Sequence, residues 1–182
     1  EIYHDGSYNY ILSPNAHPLI LEGDELQLRA VDNDKYLVGT HGEAVELYYN
    51  NSKKFETTNT GAAVTGNATI SGSTTLTGPL IFTPVSRTIS GGAITATASY
   101  HTIIGEGNNH DYLDVINGGT AGQFLTLKSE NSTKEITVRD DSTANPGNIK
   151  LDGTTKVIMN YDTITLLYDG SMWCEIGLAT DN

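Results

Sequence analysis

The sequence predicts an all-β protein with a β-hairpin repeat region at residues 1–57, an intertwined β-helical (β-prism) neck at 58–82 and a C-terminal β-sandwich or jelly roll at 83–182. Three observations carry this reading. Ten Tyr and 24 Thr in 182 residues, with few strong helix formers, favour extended backbone. A strand-turn-strand phrase comes round twice near the N-terminus. An aliphatic-x-Gly triplet then recurs every six residues, and the remaining chain breaks into short alternating runs between turn signals.

The hairpin repeat is "EIYHDGSYNY" at 1–10, echoed by "ELYYNNSKKF" at 46–55. Asp5-Gly6 tolerates the positive φ angles of a type I′ turn, and Asn50-Asn51 serves likewise. The echo keeps the aliphatic, the tyrosine, the turn and the serine but replaces His4 and Asp5 by Tyr49 and Asn50. What repeats is therefore a hairpin rather than a reactive pair. A looser echo, "LLYDGSMW", follows at 166–173. Between the two hairpins, "DELQLRAVD" alternates Leu26, Leu28 and Ala30 against Glu25, Gln27 and Arg29, which predicts a strand with one buried face. Repeated strand-turn-strand units need neighbours to cover their faces.

The neck is "GAAVTGNATISGSTTLTGPLIF", in which Val64, Ile70, Leu76 and Phe82 keep a six-residue phase and glycine stands two places after each of the first three. These aliphatics, with Ala62, Ala68 and Leu80, share even positions and one strand face. Thr65, Asn67, Thr69, Ser71, Ser73 and Thr75 face the other way, and Ile81 alone breaks that polar face. A flexible Gly/Ser/Thr linker has no reason to hold aliphatics in phase. A lone narrow strand buries too little to offset ordering its backbone at roughly 1–2 kcal/mol per residue. Three copies around one axis would bury it, with Val64, Ile70, Leu76, Leu80 and Phe82 as core and the glycines where chains turn or approach closely.

After Gly91-Gly92, Ile94, Ala96, Ala98 and Tyr100 share a face. Then come "QFLTLKS", "KEITVRD", "NIKLDG", "KVIMN", "TITLLYDGS" and "MWCEIGL", with Asp169-Gly170 between the last two. Such spacing predicts a sandwich or jelly roll. No convincing amphipathic helix is present. Nor does any run approach the roughly 20 apolar residues of a membrane helix, so no membrane insertion is expected. Without Met, basic n-region or apolar h-region at Glu1, the chain is expected to be a portion of something longer.

Twenty-two acidic against ten basic residues give a net charge of −12, which repels nucleic acid and anionic membranes. The single cysteine, Cys174, leaves no intrachain disulfide and reads as a small packed residue. The densest chemical cluster is "GEGNNHDYLD", holding Glu106, Asn108, Asn109, His110, Asp111, Tyr112 and Asp114. Its spacing matches no EF-hand or zinc-protease pattern, and its glycines and asparagines mark a surface loop. It is either a solvated loop or a set of hydrogen-bonding and aromatic groups suited to a glycan. Asp32 to Lys35 and Asp140-Asp141 fall short of the ligand count calcium needs. Tyr3, Tyr8, Tyr10, Tyr48, Tyr49 and Trp173 are either sugar platforms or, on the stronger reading, packing residues. No nucleophile elbow, P-loop or His-Glu-x-x-His motif occurs, and a carboxylate pair for glycoside cleavage cannot be read from spacing alone.

"IYHDGSYNYI", "AVELYYNNSKKFETTNTG" followed by "VTGNATISG", and the module running from "ITATASYHTI" through "DYLDVINGGTAGQFLTLKS" to "DTITLLYDGSMWCEIG" resemble tail fibre and related virion appendage proteins of tailed bacteriophages, particularly those of marine hosts. The V-x-G spacing is similar to the intertwined β-helices of phage spikes. The resemblance implies an elongated homotrimer of parallel chains with a slender shaft and a terminal β domain. The expectation is an extracellular tail appendage, joined to other virion proteins through a part preceding Glu1 and binding a host-surface glycan without catalysis. Glu106, Asn108, Asn109, His110, Asp111 and Tyr112 are then the receptor-contact candidates. No cofactor is expected, and no metal, since the His-x-His motif of some trimeric fibres is missing and His4, His17, His41, His101 and His110 are scattered. The alternatives are a polysaccharide-degrading tailspike and a purely structural head or collar fibre.

Overall fold

A computed structural model describes residues 2–13, 17–107, 109–130, 134–142, 144 and 146–179. It is all-β, with no helix among the described residues, and combines a β-solenoid of about three turns with a β-sandwich. The chain divides into two units, Glu1–Thr75 and Leu76–Asn182.

In the first unit, β1 (Ile2–His4) and β2 (Asn9–Ile11) form a hairpin. A five-stranded antiparallel meander follows: β3 (Glu25–Arg29), β4 (Lys35–Thr40), β5 (Val45–Tyr49), β6 (Ser52–Thr58) and β7 (Gly61–Val64). The two expected hairpins both form, but their turns differ. Asn50 and Asn51 have φ of +49° and +58°, the paired positive angles of type I′. The first turn is centred on Gly6-Ser7 instead of Asp5-Gly6, and only Gly6 has positive φ. Asp5 explains the shift: its Oδ1 accepts the N–H groups of Ser7 and Tyr8, each at 2.8 Å. That makes Asp5 the corner residue rather than a central one.

Register aligns Leu28, Leu37, Leu47, Phe55 and Val64 in one row across all five strands, with Leu26, Gly39 and Val45 in the row beside it. The alternation of "DELQLRAVD" does produce β3, yet its aliphatic face is not buried within the chain. Leu26, Leu28, Val45 and Leu47 remain 42–52% exposed. The opposite face is the better covered one. There Val38 is buried beneath Glu46, Lys53 and Glu56, with Lys53 bonded to both glutamates and the Tyr48 hydroxyl donating to Glu46 at 2.6 Å. Long charged side chains lay their stems over the sheet and keep their heads in water. They leave the apolar side open.

Beyond Val64 the neck residues carry no strand as far as Pro84. Val64, Ile70, Leu76, Leu80 and Phe82 are 48–64% exposed in the single chain.

The second unit coils. Its first turn is β8 (Val85–Thr88) and β9 (Ala93–Thr95). The second is β10 (Tyr100–Ile104), β11 (His110–Leu113) and β12 (Val115–Asn117). The third is β13 (Phe124–Ser129), β14 (Glu135–Arg139) and β15 (Ile149–Lys150). Parallel pairing of β8 with β10 and β10 with β13, of β9 with β12, and of β11 with β14 stacks these turns. The parallel coiling of one chain thus lies in residues 85–139. The expected strand through Ile94, Ala96, Ala98 and Tyr100 is interrupted, because the chain leaves β9 after Thr95 and Tyr100 opens the next turn.

Three antiparallel strands close the coil: β16 (Thr155–Ile158) on β14, β17 (Thr163–Tyr168) on β13, and β18 (Trp173–Ala179) on β17. The result is a six-stranded sheet, β15-β18-β17-β13-β10-β8, and a three-stranded sheet, β11-β14-β16. Leu125, Leu127, Ile164 and Leu166 from the first and Leu113, Ile136, Val138 and Ile158 from the second belong to one fully buried core. β17 and β16 cover the edges that β13 and β14 of the last turn would otherwise leave open to pairing. Trp173 is a core residue, as its packing alternative predicts. It is fully buried, 4.9 Å from the Tyr168 ring, and its Nε1–H donates to the Ile116 carbonyl at 3.1 Å. Gly119 makes room for it, since a Cβ there would stand 2.6 Å from the indole. Cys174 is a free, half-buried strand thiol whose pKa burial raises.

Candidate functional site

The receptor-contact candidates separate by strand parity. Asp111 turns toward its own loop, where Oδ2 accepts the Glu106 N–H at 2.7 Å and Oδ1 accepts the Tyr112 N–H at 2.8 Å. Glu106 caps the preceding solenoid turn by accepting the Gly91 N–H at 2.8 Å. Both carboxylates therefore shape the loop. Asn109 is exposed and its carbonyl accepts the Glu135 N–H at 3.1 Å, while Asn108 lies outside the described residues.

His110 and Tyr112 point the other way, onto the outer face of β11. The parallel neighbour β14 brings Glu135 opposite His110 and Thr137 opposite Tyr112. His110 Nε2 lies 2.9 Å from Thr137 Oγ1 and 3.3 Å from Glu135 Oε1. Its ring meets the Tyr112 ring edge to face, with centroids 4.3 Å apart. The Arg139 guanidinium covers one side of Tyr112 at 4.1 Å and is itself held by both oxygens of Asp114, at 2.5 Å each. That carboxylate raises the pKa of Arg139 further. The outcome is a fixed outer row of imidazole, phenol, carboxylate and guanidinium, held from beneath by the buried Thr137 hydroxyl. It can donate to and accept from the hydroxyls of a sugar and offers an aromatic surface, Tyr112 being 42% exposed.

Reasoning from sequence missed Glu135, Thr137 and Arg139. Part of the signal was present, since "EITVR" sets Glu135 and Arg139 at the half-exposed ends of a strand whose Ile136, Thr137 and Val138 are buried. Nothing in the sequence placed that strand beside β11.

The other carboxylates singled out are internally engaged. Asp140 accepts the Leu151 N–H at 2.7 Å and pairs with Lys150 at 2.9 Å, and these donors hold its pKa below 3.8. Asp141 accepts the Gly147 N–H at 2.7 Å, and Asp32 accepts the Asp34 N–H at 3.3 Å. Among the described residues no three potential ligands group to hold a metal ion. Tyr8 and Tyr10 pack edge to face at 6.4 Å, and the Tyr10 hydroxyl donates to Asp5 at 2.9 Å.

The comparisons with known proteins fall on this region. Residues 111–174 match the family model described as the phage depolymerase C-terminal beta sandwich domain. The match opens at the second residue of β11 and closes at the second residue of β18, so it takes in Tyr112, β14, β16 and β17 and leaves His110 just outside. No curated protein and no solved structure gives a significant match. The match covers about a third of the chain and supports a phage tail protein associated with the virion.

Proposed function

We propose that this chain is a non-catalytic structural segment of an extracellular phage tail appendage that associates in threes and contacts a host-surface glycan. The observation that carries the reading is the match of residues 111–174 to a phage tail domain lying on a coiled, sandwich-closed β unit. The uncovered six-residue phase at Val64, Ile70, Leu76 and Phe82 supports association, because a single chain leaves all four about half exposed. The glycan contact is assigned to the outer row of His110, Tyr112, Glu135 and Arg139, with the buried Thr137 hydroxyl holding His110 and Glu135 in place. Three copies would raise the effective concentration of a weak site. Adsorption assays test the contact. His110→Ala and Tyr112→Ala should each weaken binding to host cells or extracted surface glycan at least threefold with unchanged melting, and equal binding by both variants overturns the assignment.

The name of the matched domain favours a second reading, a tailspike that cleaves polysaccharide. Glycoside cleavage requires a carboxyl group whose pKa is raised so that it can donate a proton. Here Asp111, Asp114, Glu135, Asp140, Asp141 and Asp169 all hold internal donors, and Asp140 and Asp169 are shifted downward by them. That pattern suits structural acceptors. Incubating the chain with a panel of host polysaccharides decides between the readings: oligosaccharide release establishes the tailspike. Imaging of the particle with this chain located tests the head or collar alternative.

A further inference from the structure

We infer that the open apolar face of the five-stranded meander, which ends at Val64, is a contact between copies of this chain. The inference rests on the three-chain reading above and assigns it a second surface.

Three observations select a copy of the chain as the occupant. First, the two sides of this sheet differ in kind. The row from Leu28 to Val64 and the row beside it carry no charge, whereas Lys35, Glu46, Lys53 and Glu56 lie on the other side with Val38. In a chain of net charge −12, identical copies repel one another over most of their surface, so an uncharged face is where they can meet without burying charge. Second, Val64 is at once the last member of the five-strand row and the first member of the six-residue phase. Whatever covers the row reaches the residue at which the phase begins. Third, the face is too small to act alone. Four strand spacings of about 4.8 Å and two residue rows enclose roughly 19 Å by 10 Å, about 200 Å², against about 800 Å² per partner in a stable interface. A foreign protein would have to supply the remaining area itself, whereas each copy of the chain carries the six-residue phase that begins at Val64 as further uncharged apolar sequence.

The test uses the full chain. Light scattering after size exclusion should give a trimer for the wild type. Leu47→Lys, at the centre of the face, should raise the concentration at which the trimer dissociates at least tenfold while the β signal in circular dichroism persists. Glu56→Gln, on the charged side, should leave that concentration unchanged. In a Cys174→Ser background, the thiol introduced by Leu47→Cys should be alkylated at least tenfold more slowly than that of Lys54→Cys. This second readout stands even where Leu47→Lys folds poorly. A trimeric wild type in which Leu47→Lys dissociates normally and Leu47→Cys is freely alkylated overturns the face assignment and leaves the three-chain reading intact. A monomeric wild type overturns both.

Discussion

Replacing Gly72 or Gly78 by alanine separates a packed neck from an isolated strand by the sign of the effect. In the single chain neither residue has positive φ, and a Cβ at either meets no atom within 4 Å. Alanine is then compatible with the backbone and should stabilise by about 0.4–1 kcal/mol, through the smaller entropy of the unfolded chain. In a neck of three chains each glycine supplies close approach, and each added methyl costs about 1–3 kcal/mol of overpacking. Three copies bring the penalty to about 3–9 kcal/mol per trimer. Gly66 is no substitute for this comparison, because its φ of +106° strains any side chain with or without partners. Calorimetry of the full chain, with mass followed by light scattering, reads both sign and assembly. An unchanged or raised Tm at unaltered mass for both variants would refute the packed neck.

Replacing His101 by Leu should destabilise by about 3 kcal/mol or more, measured by urea unfolding. Its buried ring accepts the Thr97 and Ala98 N–H groups and lies 2.8 Å from the Val85 carbonyl, so three backbone groups would lose their partner. Burial holds the His101 pKa below its ordinary 6.5, so on acidification the unfolded chain takes up the proton first. Stability should therefore fall as pH drops from 6.5 toward the folded pKa, and a Tm series from pH 7.5 to 5 should flatten in His101→Gln. Asp5 and Asp169, lowered by the Tyr8 and Met172 N–H groups respectively, add stability above 3.8 that is lost as pH falls below it, a second and separate step. Trp173→Ala should cost about 3–5 kcal/mol by the same unfolding assay, because it empties a fully buried site. Asn51→Gly, at φ +58°, should change Tm little, while Gly170→Asn, at φ +106°, should lower it by strain of about 1–3 kcal/mol.

Alternation made the strands legible, and turn chemistry made several of their ends so. Asn50-Asn51 reads correctly as a type I′ turn because the turn itself demands two residues tolerant of positive φ. Asp5-Gly6 reads one residue out of place, because an aspartate that accepts from the backbone donors two and three residues on becomes the corner of a four-residue turn. Asp169 repeats that arrangement with Ser171 and Met172, both at 2.7 Å. The geometric partner of the N-terminal turn is therefore the looser echo at 166–173 rather than the longer one at 46–55. Pairing was the illegible part. A period of two says that a segment is a strand but not whether its neighbour is the next strand in the chain or one a full turn later. β10 joins β8 and β13 in parallel across intervening strands, which no local signal announces.

The same limit governs the candidate site. "GEGNNHDYLD" stands out in sequence because its titratable groups are near one another along the chain, yet on a strand adjacent residues point to opposite faces. Parity alone separates Asp111 from His110 and Tyr112, and the hydrogen bonds of Asp111 to its loop agree. Stacking of turns then supplies partners from far along the sequence. Glu135 and Thr137 approach His110, and Arg139 approaches Tyr112, because parallel register sets β14 against β11 with matching parity. On a coiled β surface a recognition row is therefore assembled across turns, from alternate residues of successive strands. A contiguous motif contributes at most every second residue to it, and the others are free to hold the turn that presents them, which is what Glu106 and Asp111 do.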